Sequence, residues 1–371
     1  MLWAVLLGVA AACGGPSPGD PGPAAEPPDE DRPRDVPLLD SGSVQLRESF
    51  RLEPGLRLQH PRDLALDGAA SLYVLDFASP SQLFRYDSTG QFVGRFGDRD
   101  TEEERLASAI EFAIAPWNTV LIVDRGRNAL HTFLTIGTFA SSVQIEPGVG
   151  LDVHALPEFG EFYLHRWVPE QRRSTVLHMR IPYDSLAITY EVRIPAGLTV
   201  REEARAVHFH TAIDRRGQLL VAFWDGYPVR VLAPNGETVR TIDLDRRPVR
   251  KDPQQIAREA EENLALLVET SPGVDEDLLT EAAQPDSIFP LIQELVVDPQ
   301  DRLWVRTSRE DAAGVTPYDV FNEAGQYLAR VDIPGQVERT AFGPAGDLYV
   351  IASTGDRREV IGYEVRFGES N

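Results

Sequence analysis

The sequence predicts an all-β fold, a six-bladed β-propeller that is closed by a strand from its own N-terminal region. Three observations lead to this prediction. A pair of short strands joined by a tight turn occurs six times, several of these units continue into a second hairpin, and an alternating segment precedes the first unit. Four strands per unit and six units correspond to a ring of six four-stranded blades.

The chain begins with a short apolar run, MLWAVLLGVAAAC, which is too short to span a bilayer stably and is typical of a signal-peptide core. It resembles the signal of bacterial lipoproteins, in which a small-residue triplet, here Ala10 to Ala12, precedes a cysteine that receives the lipid. We therefore expect residues 1–12 to be a signal peptide and Cys13 to be lipidated. An ordinary cleaved secretory signal or a misassigned start codon are the alternatives.

A segment rich in proline, glycine and acidic residues follows Cys13, and this composition is typical of an extended linker. We expect residues 13–43 to be a tether that holds a folded domain, residues 44–371, away from a bacterial membrane. The predicted location is the cell envelope, facing the periplasm or the exterior, with the lipid anchor as the sole membrane contact. Secretion is the alternative location. Because Cys13 is the one cysteine, no internal disulfide is expected.

The segment from Val44 to Glu53, VQLRESFRLE, alternates between apolar and polar residues and lies before the first unit. The last unit stops early, after VIGYEVRFG, which leaves its blade one strand short. We predict that the N-terminal segment supplies the missing strand, because this closure removes the exposed edges of the ring.

The repeated strand pair aligns on the turn that follows its first strand, without an insertion in any unit, and HTAIDRRGQLLVAF is a representative example. The second strands, such as LYVLD and LLVAF, are rich in β-forming residues. Gly90, Gly236 and Gly325 occupy turns of the second hairpins, where positive φ is required. The aligned turn positions are Asp67, Ala115, Pro157, Asp214, Asp298 and Gly343.

The second unit, VLIVDRGRNALHTF, closely resembles the NHL repeat, in which a strand ending in Val-Asp precedes a loop with Asn and a second apolar strand. Asp124, Arg127 and Asn128 carry this resemblance, and the first unit keeps Asp76. The resemblance implies a propeller. NHL-like propellers include binding scaffolds, lyases and, in related six-bladed families, metal-dependent lactonases, so the fold alone does not select a function.

An insertion separates the fourth and fifth units, whose turns are nearly twice as far apart as usual. Asp252 followed by Pro253 predicts a helix start, and a second, shorter helix is expected over about 275–283. We place this helical insertion at about residues 248–290, on the face where the inner strands begin. It is either a lid over the axial mouth or a decoration on a blade rim. The apolar residues on one face of the first helix are Ile256, Ala260, Leu264 and Leu267.

The residues that start the inner strands surround the axial mouth, where ligand sites of propellers usually gather. Four residues before the aligned turn, five of the six units carry a polar or charged residue, and the third carries Val153. Titratable groups that converge in a concave mouth are typical of a binding site. The alternative is a structural polar lining in which Arg339 pairs with Glu294 or Asp63. The candidate ligand-binding residues are Asp63, Glu111, His208, His210, Glu294 and Arg339.

The composition and the absence of known motifs exclude several classes of partner and of enzyme. The net charge of −22 repels nucleic acids and anionic membrane surfaces, and no GxSxG, P-loop or HExxH motif is present. Calcium-dependent lactonases use Glu, Asp and Asn at the mouth, whereas none of the six residues that lie four positions before the aligned turns is Asn. We call these six aligned residues the ring. We assign no cofactor and no metal site, although His208 and His210 could both ligate a divalent metal.

The sequence therefore predicts an envelope-anchored monomer that binds a protein, a peptide or a small ligand at the mouth under the helical insertion. The alternative function is that of a hydrolase or lyase that uses the acids of the ring and His210. No catalytic residue is assigned.

Overall fold

A computed structural model of the chain describes residues 44–52, 58–77, 80–97, 101, 104–145, 149–181, 184–193, 209–224, 226–243, 246, 249–270, 275–308, 314–354 and 357–368. The predicted signal peptide, Cys13 and the predicted tether lie outside these residues, as does His208.

The described residues form six four-stranded antiparallel sheets, and this arrangement confirms the predicted six-bladed propeller. Blade 1 comprises β2 (Pro61–Leu66), β3 (Leu72–Asp76), β4 (Gln82–Tyr86) and β5 (Phe92–Phe96). Blade 2 comprises β6 (Ala109–Ala115), β7 (Thr119–Asp124), β8 (Ala129–Leu134) and β9 (Phe139–Gln144). Blade 3 comprises β10 (Val149–Ala155), β11 (Glu161–Val168), β12 (Arg173–Arg180) and β13 (Asp184–Arg193).

Blade 4 comprises β14 (Phe209–Ile213), β15 (Leu219–Phe223), β16 (Gly226–Leu232) and β17 (Thr238–Ile242). Blade 5 comprises β18 (Ile292–Val297), β19 (Leu303–Thr307), β20 (Val315–Phe321) and β21 (Tyr327–Pro334). Blade 6 comprises β22 (Gln336–Phe342), β23 (Leu348–Thr354), β24 (Arg357–Phe367) and β1 (Val44–Leu52). The first strand of each blade contacts the first strands of its neighbours, as β2 contacts β6 and β22, so these strands surround the axis.

The N-terminal strand closes the ring as predicted. β1 pairs antiparallel with β24, from Val44 opposite Phe367 to Leu52 opposite Val360. Leu52 is buried, and the ring of Phe50 lies 5.6 Å from that of Tyr349. Because the strands of a blade alternate in direction, Val44 enters the propeller on the face opposite the mouth.

The hydrophobic core lies between neighbouring blades. All five residues of β3 are buried, as expected for strands that are covered on both faces of the sheet. Blades 4 and 5 share one apolar cluster that includes Val229 and Val305, while blades 5 and 6 share another that includes Trp304 and Val350. Each blade is therefore stabilised by burial against its neighbours.

Aspartate side chains cap the turns on which the repeat was aligned. Asp214 Oδ1 accepts hydrogen bonds from the backbone N–H groups of Arg216, at 3.0 Å, and Gln218, at 2.9 Å. Asp67 and Asp298 make the equivalent contacts. This local hydrogen bonding explains why aspartate recurs at the aligned position.

The third turn corrects the alignment. The N–H of Asp214 bonds to the carbonyl of Gln218, whereas the equivalent bond in blade 3 joins Leu156 to Glu161, one residue further along the chain. The turn in blade 3 is therefore one residue longer, and the anchor is Leu156 instead of Pro157. The predicted absence of insertions is wrong in this unit.

The glycines of the second hairpins have the predicted positive φ: 81° at Gly90, 87° at Gly236 and 81° at Gly325. Each also approaches the outer strand of the preceding blade. A Cβ at Gly236 would lie 2.7 Å from the backbone oxygen of Thr189 in blade 3, so glycine is required for both the conformation and the packing.

Two helices lie between blades 4 and 5: α1 (Pro253–Thr270) and α2 (Glu276–Ala283). The Asp252 carboxylate begins α1 by accepting hydrogen bonds from the N–H groups of Gln254 and Gln255. The helices pack on each other through Leu267, Leu279 and Ala283. Within the described residues, neither helix is long and apolar enough to cross a membrane.

Candidate functional site

A β-bulge aims the side chains at the mouth in most blades. In five inner strands the pairing with the second strand skips one residue immediately before the residue of the ring, and a bulge redirects the side chain that follows it. In blade 4, His210 pairs with Ala222 and is half-buried. The ring residues in blade order are Asp63, Glu111, Asp152, His210, Glu294 and Arg339.

Asp152, and not Val153, occupies the ring in blade 3. Asp152 pairs with His165 just as Asp63 pairs with Leu75, while Val153 is only 2% exposed. The sequence alignment missed Asp152 because the turn in this blade has an extra residue. With the corrected register, all six ring positions are polar.

Three ring residues from successive blades converge. The Nη2 group of Arg339 in blade 6 donates a hydrogen bond to Glu111 in blade 2, and its Nε lies 3.9 Å from an oxygen of Asp63 in blade 1. The Asp63 and Glu111 carboxyl groups are also close enough for the charge of Asp63 to raise the pKa of Glu111. Their side chains are 13% and 14% exposed, and that of Arg339 is 33% exposed. We call Asp63, Glu111 and Arg339 the acid pair cluster.

Burial raises the pKa of Glu111 well above its usual range; Arg339 opposes this shift and Asp63 reinforces it. Burial also raises the pKa of Asp63, again against the effect of Arg339. The pKa values of both carboxyl groups are therefore raised although Arg339, which contacts both groups, favours their ionised forms.

Asp152 belongs to a second polar group that sequence reasoning missed. Thr211 Oγ1 donates to Asp152 Oδ2 at 2.6 Å, and His154 Nε2 lies 2.8 Å from Thr211 Oγ1 and 3.0 Å from Asp152 Oδ2. Burial alone would raise the pKa of Asp152, but His154 and the Thr211 hydrogen bond lower it below the usual range. A single histidine nitrogen contacts both partners, unlike a nucleophile relay, in which the two nitrogens serve different partners.

Glu294 faces the neighbouring blade. Its Oε1 accepts the backbone N–H of Thr340 at 3.1 Å, and its Oε2 accepts the Tyr318 hydroxyl at 2.9 Å. The side chain of Glu294 is 7% exposed. Thr340 and Thr211 each follow a ring residue, so Glu294 and Asp152 both link their own blade to the next one, Glu294 through a backbone N–H and Asp152 through a hydroxyl. Glu294 is thereby held in the wall of the mouth.

The two aspartates of the NHL resemblance hold the segments that lead into the inner strands of blades 1 and 2. Asp76 accepts the backbone N–H groups of Gln59 and His60, and Asp124 accepts those of the equivalent residues Ala107 and Ser108, at 2.7 and 2.9 Å. Both carboxylates are fully buried. Each aspartate therefore fixes the segment that leads into an inner strand, and this segment determines the position of the ring residue on that strand.

The acids and histidines of the mouth do not converge as metal ligands: among the described residues, no three His, Cys, Asp or Glu side chains form a group that could hold a metal ion. His208, which the sequence paired with His210, is not among them. The arrangement can instead offer hydrogen-bond donors and acceptors of both charges to a ligand.

Solved structures share this fold at low sequence identity. A member of the DUF4221 family from Bacteroides vulgatus matches with a TM-score of 0.54 and 10% identity, over 88% of this chain and 100% of that chain. A candidate exported protein from Bacteroides fragilis matches with a TM-score of 0.56 and 10% identity, over 89% and 96% of the two chains. These similarities show the propeller fold alone. No family model and no curated protein matches the chain.

Proposed function

We propose that the protein is an envelope-anchored propeller that binds a protein, a peptide or a small ligand at its axial mouth. The observation that carries the proposal is the ring: every blade contributes a polar residue at the same level, and Arg339, Asp152 and His154 keep 33%, 26% and 19% of their side-chain exposure. Titratable groups that converge and have raised or lowered pKa values, such as Asp63, Glu111 and Asp152, are a feature of functional sites. The helical insertion leaves the propeller on the same face.

The position of the N-terminus supports the anchoring part of the proposal. Val44 enters on the face opposite the mouth, so a tether of residues 13–43 attached to a lipidated Cys13 would join the propeller on that face and would not have to cross the mouth. A structural neighbour from Bacteroides fragilis is itself a candidate exported protein, which is consistent with a location in the cell envelope.

The mouth is tested by a thermal-shift screen of small metabolites and short peptides against the wild type and two mouth variants. Any compound that raises the melting temperature of the wild type is expected to lose its effect in Glu111→Gln and His210→Ala. These variants should fold normally, because His210 is only half-buried and Gln keeps the size of Glu111 and an oxygen that can accept the hydrogen bond of Arg339. Turnover of such a compound would favour the alternative, a hydrolase or lyase.

Glu323→Gln is the matched control, since Glu323 is an exposed glutamate in a turn far from the ring. Shifts that persist in both mouth variants, or the absence of any shift in the wild type, would contradict binding at the mouth.

The anchor is tested with Cys13→Ser in a bacterial host. The wild type is expected to incorporate labelled fatty acid and to enter the detergent phase, because Cys13 is the one thiol available for lipidation. The variant should lose both properties while melting at the same temperature. Equal labelling of the two proteins would rule out the lipid anchor.

A further inference from the structure

Three turns on the face opposite the mouth carry apolar side chains at the surface. The first strand of each blade starts at the mouth, so the turn that follows it lies on the opposite face, as does the turn that follows the third strand. In blade 2 these two turns contain Trp117 and Ile136, and Leu134 ends the third strand. In blade 3 the first turn contains Phe159. We call Trp117, Leu134, Ile136 and Phe159 the apolar patch.

Trp117 joins the two blades within the apolar patch. The centre of its ring lies 5.7 Å from that of Phe159, which belongs to the next blade. Trp117 Nε1 donates a hydrogen bond to the backbone carbonyl of Leu156 at 3.3 Å, so its polar atom is satisfied inside the protein. The ring of Trp117 is half-buried and is held in place from both sides.

The second turn of blade 2 lies directly beside the turn of Trp117. The backbone N–H of Thr135 donates to the carbonyl of Asn118 at 3.1 Å. Leu134 and Ile136 flank Thr135 in the chain, so this hydrogen bond places both of them next to the turn that contains Trp117. The apolar patch is therefore continuous across the two blades.

The apolar patch is open to solvent. Phe159 is 82% exposed, Ile136 76% and Leu134 41%. Side chains of this size are normally covered, and a continuous group of them on a surface marks contact with a protein or a membrane. The residues protrude at the tips of turns and do not line a groove, a shape that fits a soft lipid surface.

The three turns are also nearly free of charge. Residues 116–118, 134–138 and 157–159 contain one charged residue, Glu158, although 25% of the chain is charged. By comparison, the first turn of blade 4, residues 214–218, contains three charged residues. Insertion of the apolar patch into lipid would therefore require little desolvation of charge.

The chain enters the propeller on the face that carries the apolar patch. Val44 begins β1 there, and residues 13–43 join it to Cys13. A lipid on Cys13 would keep this face close to a membrane, and the high local concentration of lipid would allow a weak contact to form. The net charge of −22 is repelled by anionic lipids, so a zwitterionic surface fits best.

We propose that the apolar patch rests on a membrane of zwitterionic phospholipid, with Phe159 and Ile136 inserted among the headgroups and Trp117 at the interface. Tryptophan is enriched at membrane interfaces because its ring is apolar and its N–H is polar. The inference rests on the proposed lipid anchor. It adds a second contact to the anchor, which the sequence predicted as the sole membrane contact, and this second contact turns the mouth away from the membrane.

The test attaches residues 13–371, which contain every residue that the structure describes, to vesicles through Cys13. The unlipidated protein is coupled by its one thiol to a maleimide phospholipid in vesicles of brominated or unbrominated phosphatidylcholine. Bromine quenches tryptophan fluorescence at short range, so we expect brominated lipid to quench the wild type. In the double variant Phe159→Ser/Ile136→Ser, the ratio of quenched to unquenched protein should fall about tenfold, because two apolar side chains no longer insert.

Two single variants locate the contact. Trp117→Phe should lose the quenching, because it removes the fluorophore of the apolar patch and keeps an apolar ring. Val268→Ser is the matched control and should be quenched like the wild type, since Val268 is 53% exposed in α1, on the face of the mouth. Melting temperatures check that all variants fold.

An unquenched wild type, equal quenching in the double variant, or quenching that persists in Trp117→Phe would overturn the membrane contact. Self-association of the unattached protein that the double variant abolishes would assign the apolar patch to a second copy of the chain and would also overturn it. Because the attachment is chemical, a failure of lipidation in cells and a failure of the apolar patch are separate results.

Discussion

A protein that lacks residues 1–53 is expected to lose several kcal/mol of stability and to expose an unpaired edge on blade 6. β1 pairs with β24 from Val44 to Leu52, and each lost ladder hydrogen bond costs about 1 kcal/mol. The deletion also removes buried Leu52 and the contact of Phe50 with Tyr349. Chemical denaturation and melting temperature measure the loss, and light scattering detects association through the free edge.

Deletion of residues 1–40 is the matched control, because it leaves β1 intact and should melt like the full chain. A synthetic peptide of residues 41–53, added in trans, should partly restore the melting temperature of the shorter protein. Identical melting of the two truncated proteins would show that β1 contributes little to closure.

Arg339→Met is expected to destabilise the protein by about 2 kcal/mol near neutral pH, less than for a fully buried ion pair because Arg339 is one-third exposed. The variant leaves the carboxyl groups of Asp63 and Glu111 without the cation that contacts both of them. Urea denaturation at pH 7.5 and pH 4.5 measures the effect.

The loss should shrink at the lower pH. The folded pKa values of Asp63 and Glu111 are already raised, so the native state binds more protons than the unfolded state. The contribution of these two groups to the stability of the fold therefore falls as pH rises above their unfolded pKa values. Removal of Arg339 raises these folded pKa values further, which increases the loss at pH 7.5. The double variant Asp63→Asn/Arg339→Met should recover most of the stability. A loss that is independent of pH would exclude this electrostatic cause.

The sequence by itself determined the blades and their closure. Alternating residues in strands, aspartates that cap their own turns and glycines such as Gly236 act over a few residues, so their effects can be inferred from the local pattern. The closing strand was predictable because one unit lacked a strand and one unassigned segment alternated. Asp63, Glu111, His210 and Arg339 were found by the same periodicity, since a repeat places equivalent residues at equivalent heights.

Only the tertiary structure decided which of these residues meet. Arg339 reaches past blade 1 to Glu111, and Glu294 turns toward Thr340 of the next blade; these contacts depend on the distance across the mouth and on side-chain conformation, which no spacing in the chain encodes. Asp152 is a ring residue because the turn of blade 3 holds an extra residue. Relative to the sequence alignment, the strand is therefore shifted by one position, and the side chains that face the mouth and the core are exchanged. A register set by hydrogen bonds between strands becomes visible only when the strands are paired.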